Sequence, residues 1–403
     1  LDASLLISDA ALLGEVQEVL EALQLDTAVA VNVDPAVARA DEPLNDAEEN
    51  RVAGLARFRC SDAGDGAALP VVIDAHDVCS IIYTSGTTGR PKGVVQKHAW
   101  LHALCATQAT WTHADDVIHC DLPMHHIGGA FSLFARGLWA GASVALWDRF
   151  SGGHYWDRIR RSGASIALLI DVMVDWLLDA PEDSRDRDNS LAKVHMQPLT
   201  DKHLPLANRF SIDYIVAAYG SSEVGNALLG FVDEHGQAPA TPPALWRGHS
   251  KQELVNLVED HFGGAAVVAG SSGMATGFMG VVSGVYDVSF DGAAGETAGQ
   301  LRLRPLLDGV LFTGYLNRPE ASRDALEDGC YKAPDIAERD PDGRFYFGGR
   351  REGFLRVRGE NVSAAAVEAV LDAHPAVARS AVIGVPAAQG GEDDLVAFVQ
   401  LER

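Results

Sequence analysis

Positive charge is scarce in this chain: 32 Lys and Arg stand against 56 Asp and Glu, a formal charge of −24. A field of that sign repels polyanions, which excludes generic binding to nucleic acid or to anionic membranes. Cysteine is sparse as well. Cys60, Cys79, Cys105, Cys120 and Cys330 are odd in number and far apart. That pattern fits neither a disulfide framework nor a zinc site, and it predicts a reducing, cytoplasmic setting. No long hydrophobic run is present. The most apolar stretch, "ASIALLIDVMVDWLLDA", is interrupted by Asp171 and Asp175, so it does not read as a membrane span. The chain opens on Leu1 rather than Met, which suggests a missing end, and it shows no secretory signal, repeat or low-complexity tract.

What remains is an ordinary globular composition, 47% hydrophobic over 403 residues, enough for roughly two to three domains. Strand-like and helical patterns alternate. "CSIIYT" reads as a strand, "HAWLHALCATQAT" as a helix, "DVIHCDLPM" as a strand, and "GAFSLFARGLWAG" as a helix ended by Gly141. "SVALWD" and "IDYIVAAYG" are further strands. Such alternation predicts parallel sheets covered by helices. Between about residues 230 and 280 the only clear element is an amphipathic helix, "KQELVNLVEDHF", and the text leaves open an insertion or a lid. From Leu301 short strands dominate, with a hairpin at Pro341-Asp342-Gly343. A polar joint at Gly349–Gly353 precedes a small α+β unit: the helix "SAAAVEAVLDAHP" and the strands "SAVIGVP" and "DLVAFVQLE".

The stretch with the clearest chemistry is "IIYTSGTTGRPKGVVQKH". Gly86, Gly89 and Gly93 permit tight turns and close backbone approach. Successive N–H groups there make a concavity for phosphate oxygens. Thr84, Ser85, Thr87 and Thr88 add hydroxyls, and Lys92 adds charge. A strand before the loop and a helix after it would set it at the carboxyl edge of a sheet. It is not a Walker loop, because Pro91 stands where the glycine before the lysine belongs.

"YTSGTTGRPKGV" closely resembles the signature of the adenylate-forming superfamily. "YGSSEVG", "GYLNRPEAS" and "YKAPDIAERDPDGRFYFGGRREGFLRVRGENVSAAAVE" resemble its later motifs in the right order. The similarity runs from about Leu5 to Leu401, and its end looks more like acyl-CoA synthetases than peptide adenylation domains. The resemblance implies an α/β fold: a large N-terminal domain, residues 1–349, of parallel sheets flanked by helices. A small mobile α+β lid, apparently truncated, begins at 350 and runs to 403, with the active site between the two.

The implied reaction is ligation of a carboxylic acid to coenzyme A through an acyl-AMP. ATP (or acyl-AMP) and CoA would be co-substrates and Mg²⁺ the metal. Thr84, Ser85, Gly86, Thr87, Thr88, Gly89 and Lys92 would hold phosphates. Lys92, Glu223 and His126 would form the catalytic set, with Glu223 on the metal. Tyr219, Gly220, Ser222, Asp335 and Arg350 would complete the nucleotide site. His126, Gly128 and Ala218 would line the acyl pocket. Arg356, Arg358 and Gly359 would face CoA, and Gly353 would be the hinge. His125 and His126, as neighbours in an extended segment, would point to opposite faces rather than share a metal.

Four departures from the family stand out. "HMQPLTD" replaces a glycine-containing adenine turn, and Ala333-Pro334-Asp335 replaces Thr-Gly-Asp. Gly353 replaces a side-chain-bearing hinge, and the family's late lysine has no counterpart before Arg403. They leave two alternatives open: an enzyme that only transfers a preformed acyl-AMP from a separate adenylating partner, and a non-catalytic nucleotide-binding homologue. The sequence names neither the acid nor the oligomeric state, and a dimer is compatible with it.

Overall fold

The computed structural model describes residues 5–9, 28–32, 56–58, 72–84, 91–236, 238–270, 277–291, 295–350, 354–357, 360–386 and 393–401. The chain divides into two units, 1–73 and 74–403. In the first, β1 (Leu5–Asp9), β2 (Ala28–Asn32) and β3 (Ala56–Phe58) form a parallel sheet in that order.

The second unit opens with an antiparallel hairpin, β4 (Val78–Thr84) and β5 (Lys92–Lys97), which runs into α1 (His98–Ala109). Then β6 (Val117–Cys120), β7 (Ser143–Leu146), β8 (Ile166–Leu169), β9 (Lys193–Met196) and β10 (Tyr214–Ser221) alternate with helices. These are a π-helical turn at Gly128–Ala135 continuing into α2 (Arg136–Ala140), then α3 (Tyr155–Ser162), α4 (Asp171–Asp179) and α5 (His203–Phe210). Gly141 ends α2 with φ at +70°, the left-handed turn that its lack of Cβ permits. The strands are short and apolar, with β8 and β9 buried along their whole length, as strands covered on both faces must be.

β11 (Gly225–Asp233) turns back antiparallel to β10. Beyond it lie α6 (Lys251–Phe262), β12 (Val267–Ala269), β13 (Phe278–Val282), β14 (Tyr286–Phe290), β15 (Ala298–Pro305), β16 (Gly314–Tyr315), α7 (Pro319–Ala325), β17 (Leu326–Glu327), β18 (Cys330–Arg339) and β19 (Phe345–Arg350). One sheet holds most of these strands, in the order β14-β15-β18-β19-β13-β11-β10-β9-β8-β6-β7. It is parallel from β7 to β10 and antiparallel from β10 outward. The α/β fold class holds, and the short-strand text after Leu301 accounts for the antiparallel half: tight turns join neighbours without a crossover helix.

The stretch from 230 to 280 belongs to this sheet. Ser250 and Glu253 form a capping box at the start of α6, whose Leu254 and Val258 are buried, and β12 and β13 both pair with β11. Two apolar clusters result. One, around Trp111, Phe210 and Phe231, lies with the parallel strands; the other, around Val94, Leu228 and Phe345, lies with the antiparallel ones. At the end of the chain, β20 (Phe354–Val357) pairs with β21 (Glu360–Ser363). α8 (Ala364–Asp372) is tied to the hairpin of β22 (Val377–Pro386) and β23 (Asp393–Leu401) through the Glu368 carboxylate, which accepts from Val382 N at 2.8 Å. Among the described residues no helix is long and apolar enough to cross a membrane.

Candidate active site

The glycine-rich loop joins two strands of a hairpin rather than a strand and a helix, which corrects the expectation from sequence. Thr84 pairs with Lys92 across β4 and β5, and the helix begins only at His98. The reason is visible in "KGVVQK": from Val94 on, buried Val94 and Gln96 alternate with the partly exposed Val95 and Lys97, a strand pattern. Lys92 therefore sits at the mouth of the hairpin. Ser85, Gly86, Thr87, Thr88 and Gly89 lie outside the described residues.

β10 brings the second motif to the same place. Its pairing with β11 slips between Tyr219 and Gly220. A Cβ on Gly220 would lie 1.8 Å from the carbonyl oxygen of Gly225, so only glycine allows this crossing. Ser222 and Glu223 follow, both buried. Buried Gln96 of β5 donates from Nε2 to the Ser222 carbonyl at 2.7 Å, and its Oε1 accepts from the Ser80 hydroxyl. The loop hairpin is thus bonded to the turn that carries Glu223.

A third segment closes the arrangement. Phe312 N donates to the Glu223 carbonyl at 3.0 Å, and Leu316 N donates to the Gly93 carbonyl at 2.8 Å. Between them β16 pairs with β5, Tyr315 opposite Val94. The Tyr315 hydroxyl donates to Glu223 Oε1 at 2.7 Å, and the Lys92 Nζ stands 5.0 Å from the centre of its ring.

The fourth motif arrives on β18. The Tyr219 hydroxyl donates to Asp335 Oδ2 at 2.6 Å. Pro334, which has no N–H for the ladder, sits where the pairing of β15 with β18 shifts between Gln300 and Arg302. The replacement of Thr-Gly-Asp by Ala-Pro-Asp is absorbed there, with Asp335 still delivered to Tyr219. Arg350 is the register partner of Asp335.

Tyr219, Tyr315 and Tyr331 crowd around the two acids. Burial raises the pKa of each. Asp335 adds to the shift of Tyr219, and Glu223 to those of Tyr315 and Tyr331. All three therefore act as neutral hydrogen-bonding groups. Gln96, Tyr315 and Tyr331 were given no role from sequence. A glutamine in the strand text "GVVQK" is the one signal that marks Gln96 as a buried polar anchor.

The acyl-pocket residues are only partly assembled. His126 Nδ1 accepts from Gly128 N at 3.1 Å. The segment Met124–His126 is a turn, not the extended strand expected, because β6 stops at Cys120 ahead of Leu122-Pro123. His126 is exposed as a residue, yet the protein around its ring, and then His125, lower its pKa below the ordinary histidine value. Ala218 is buried in the same apolar cluster as Leu122 and Leu133, which flank this turn. Gly353, Arg358, Gly359 and the side chains of Arg350 and Arg356 lie outside the described residues.

Thiol chemistry finds no support at Cys79, Cys105 or Cys120. Burial raises Cys79 and pushes Cys105 up to about 12 and Cys120 up to about 11, away from nucleophilic thiolates. Nor do three His, Cys, Asp or Glu side chains gather anywhere among the described residues to cage a metal. Glu223 fits a different kind of cation site. It is one carboxylate, held at Oε1 and without a partner at Oε2 among the described residues. Mg²⁺ commonly takes one or two carboxylates and completes its shell with phosphates and waters.

A mixed α/β sheet thus brings together Lys92 at the mouth of a hairpin and two acids, Glu223 after β10 and Asp335 on β18, each accepting from a tyrosine hydroxyl. The chain belongs to the AMP-binding enzyme family, whose model matches residues 1–247. It is 27% identical over 340 residues to a crotonobetaine/carnitine–CoA ligase of Salmonella heidelberg (strain SL476), covering 82% of this chain and 59% of the relative. It is 29% identical over 336 residues to a steroid-22-oyl-CoA synthetase of Rhodococcus jostii (strain RHA1), covering 82% and 55%. The chain thus spans less than two thirds of the length of these curated relatives. O-succinylbenzoate coenzyme A synthetase from Bacillus subtilis, solved with ATP and magnesium ion, has the same fold. The TM-score is 0.65 at 20% identity, over 97% of this chain and 72% of that one.

Proposed function

We propose that this chain is the activating portion of an acid–thiol ligase that joins a carboxylic acid to coenzyme A through an acyl-AMP. One carboxylate oxygen of the acid attacks the α-phosphorus of ATP, and the bond to pyrophosphate breaks. The CoA sulfur then attacks the acyl carbon, AMP leaves with the electron pair of the acyl C–O single bond that joined it to the phosphate, and the thiol proton passes to solvent. Lys92 and the loop it closes neutralise charge on the leaving pyrophosphate. Glu223 would hold Mg²⁺, which supplies charge neutralisation at the phosphates when bound. Asp335, held by Tyr219, accepts ribose hydroxyls, and His126 with Gly128 and Ala218 lines the acyl pocket. Residues 1–349 form the activating domain, and 350–403 begin a lid that hinges at Gly353 and presents Arg356, Arg358 and Gly359 to CoA.

The observation that carries this reading is the convergence of four motifs distant in sequence: Lys92 against Tyr315, Tyr315 on Glu223, and Tyr219 on Asp335. The relatives named as CoA ligases and synthetases support the reaction class, and their differing acids leave the substrate here to be found by experiment.

The test incubates the protein with Mg-ATP, CoA and a panel of acids, and in parallel with CoA and synthetic acyl-AMPs, reading acyl-CoA and pyrophosphate by mass spectrometry. Both products from the first mixture are expected. Acyl-CoA from acyl-AMP alone would overturn the adenylating half. No product in either mixture would overturn the ligase reading.

A further inference from the structure

Lys92 and Glu223, opposite in charge, flank one aromatic ring and do not pair. Lys92 Nζ lies 5.0 Å from the Tyr315 ring centre, and the hydroxyl of that ring donates to Glu223 Oε1 at 2.7 Å. Among the described residues neither charge has an ion-pair partner. An ammonium and a buried carboxylate that share one aromatic neighbour attract one another, the more strongly away from bulk water. The ring beside both is fixed by its backbone. Tyr315 is fastened to β5 through its pairing with Val94, and its own N–H donates to Ser322 Oγ at 2.8 Å. Its side chain packs 5.0 Å, centre to centre, from Phe312, whose N–H is bonded to the Glu223 carbonyl. The ring has little room to swing aside.

We infer that Tyr315 is a positioning residue that insulates Lys92 from Glu223. Its ring holds the lysine at the mouth of the β4–β5 hairpin, and its hydroxyl orients the carboxylate so that Oε2 stays open to a cation. Without the ring the two charges would neutralise one another: Lys92 would leave the phosphates and Glu223 would lose its claim on a metal. This rests on the reading of Lys92 and Glu223 proposed above, but its physical core, the separation of two charges, holds with no nucleotide or metal bound.

The test therefore has two arms. In the first, melting temperatures of the protein alone are measured for Lys92→Ala, Glu223→Gln and the double variant, once in the natural background and once with Tyr315→Leu. Additive shifts are expected in the natural background. In the Tyr315→Leu background a non-additivity of about 1 °C or more is expected, the mark of a newly formed pair of modest strength. Additivity in both backgrounds, or equal coupling in both, overturns the inference.

In the second arm, binding of a non-hydrolysable ATP analogue is followed by calorimetry across a Mg²⁺ titration. Tyr315→Phe keeps the ring and should need within about threefold of the natural Mg²⁺ concentration. Tyr315→Leu should need about tenfold more, and Lys92→Ala on top of it should remove that rise. A rise that persists without Lys92 overturns the inference, because the leucine would then act by distorting the site. If the natural protein binds no Mg-analogue, the functional reading fails in this arm while the first arm still decides the insulation.

Discussion

A fully buried lysine with a lowered pKa is the usual signature of catalytic chemistry, and Lys193 has that signature. Burial pulls its pKa below the ordinary lysine value against the opposing pull of Asp116. Its Nζ lies 2.7 and 2.8 Å from the two oxygens of Asp116, and both side chains are almost wholly shut off from solvent. Place in the fold argues for a structural role. Lys193 is the first residue of β9 and pairs with Tyr214, the first of β10. Tyr219 lies five residues further along, about 17 Å at about 3.3 Å per residue. The pair therefore sits at the amino edge of the parallel strands, and the candidate site at the carboxyl edge.

Lys193→Met should leave Asp116 buried and charged, with the Ser165 hydroxyl at 2.7 Å and His113 N at 2.8 Å as its remaining donors. Removing one member of such a pair costs about 3–5 kcal/mol. At roughly 2 °C per kcal/mol for a chain of this size, the melting temperature should fall by about 6–10 °C. Asp116→Asn added to Lys193→Met should recover part of that fall: the buried carboxylate charge is gone, but the buried guanidinium of Arg136 loses the attraction of Asp116 at the same time. Differential scanning fluorimetry reads both, and acyl-CoA formation well below the melting temperature reads function. A fall below about 2 °C, or loss of turnover in a folded Lys193→Met protein, would refute the reasoning.

Gln96→Leu should strip the Ser222 carbonyl and the Ser80 hydroxyl of their buried partner. It should cost about 1–3 kcal/mol by urea unfolding and slow pyrophosphate exchange more than thioester formation from synthetic acyl-AMP. Gly220→Ala must move the Gly225 carbonyl, which a Cβ would meet at 1.8 Å. A folded variant with unchanged melting temperature and nucleotide affinity would contradict the crossing described. His195 is buried on β9, and burial, then Arg136, bring its pKa down to about 3. Between its ordinary value near 6.5 and about 3 the unfolded chain holds a proton that the folded chain refuses. Stability should thus fall as pH falls through that window, by up to about 1.4 kcal/mol per pH unit. His195→Gln should remove that part of the slope in acid unfolding curves.

Much of this was legible before any fold was seen, wherever the signal is local. "CSIIYT" and "HAWLHALCATQAT" become β4 and α1 almost residue for residue, and Gly141 ends α2. Hydrophobic periodicity and capping act over a few residues, which a reading of the text can follow. The same text misled at "KGVVQK", where a glycine-rich loop before a helical run suggested a strand–loop–helix unit. Six residues of strand fit between them because the hairpin partner, β4, lies behind the loop. The span from 230 to 280 was opaque because β12 and β13 take their identity from β11, their neighbour in the sheet rather than in sequence.

The candidate site divides along the same line. The sequence by itself determined which groups are present: the loop with Lys92, the acids Glu223 and Asp335, the turn at His126, and Gly220, whose want of a side chain no other residue supplies. Only the tertiary structure decided how they meet. Tyr315 comes to touch both Lys92 and Glu223 because a two-residue strand pairs with β5, and Gln96 reaches Ser222 across 126 positions of chain. Composition and spacing along the chain specify which charges a site holds; the packing of distant strands sets whether those charges stand apart or cancel.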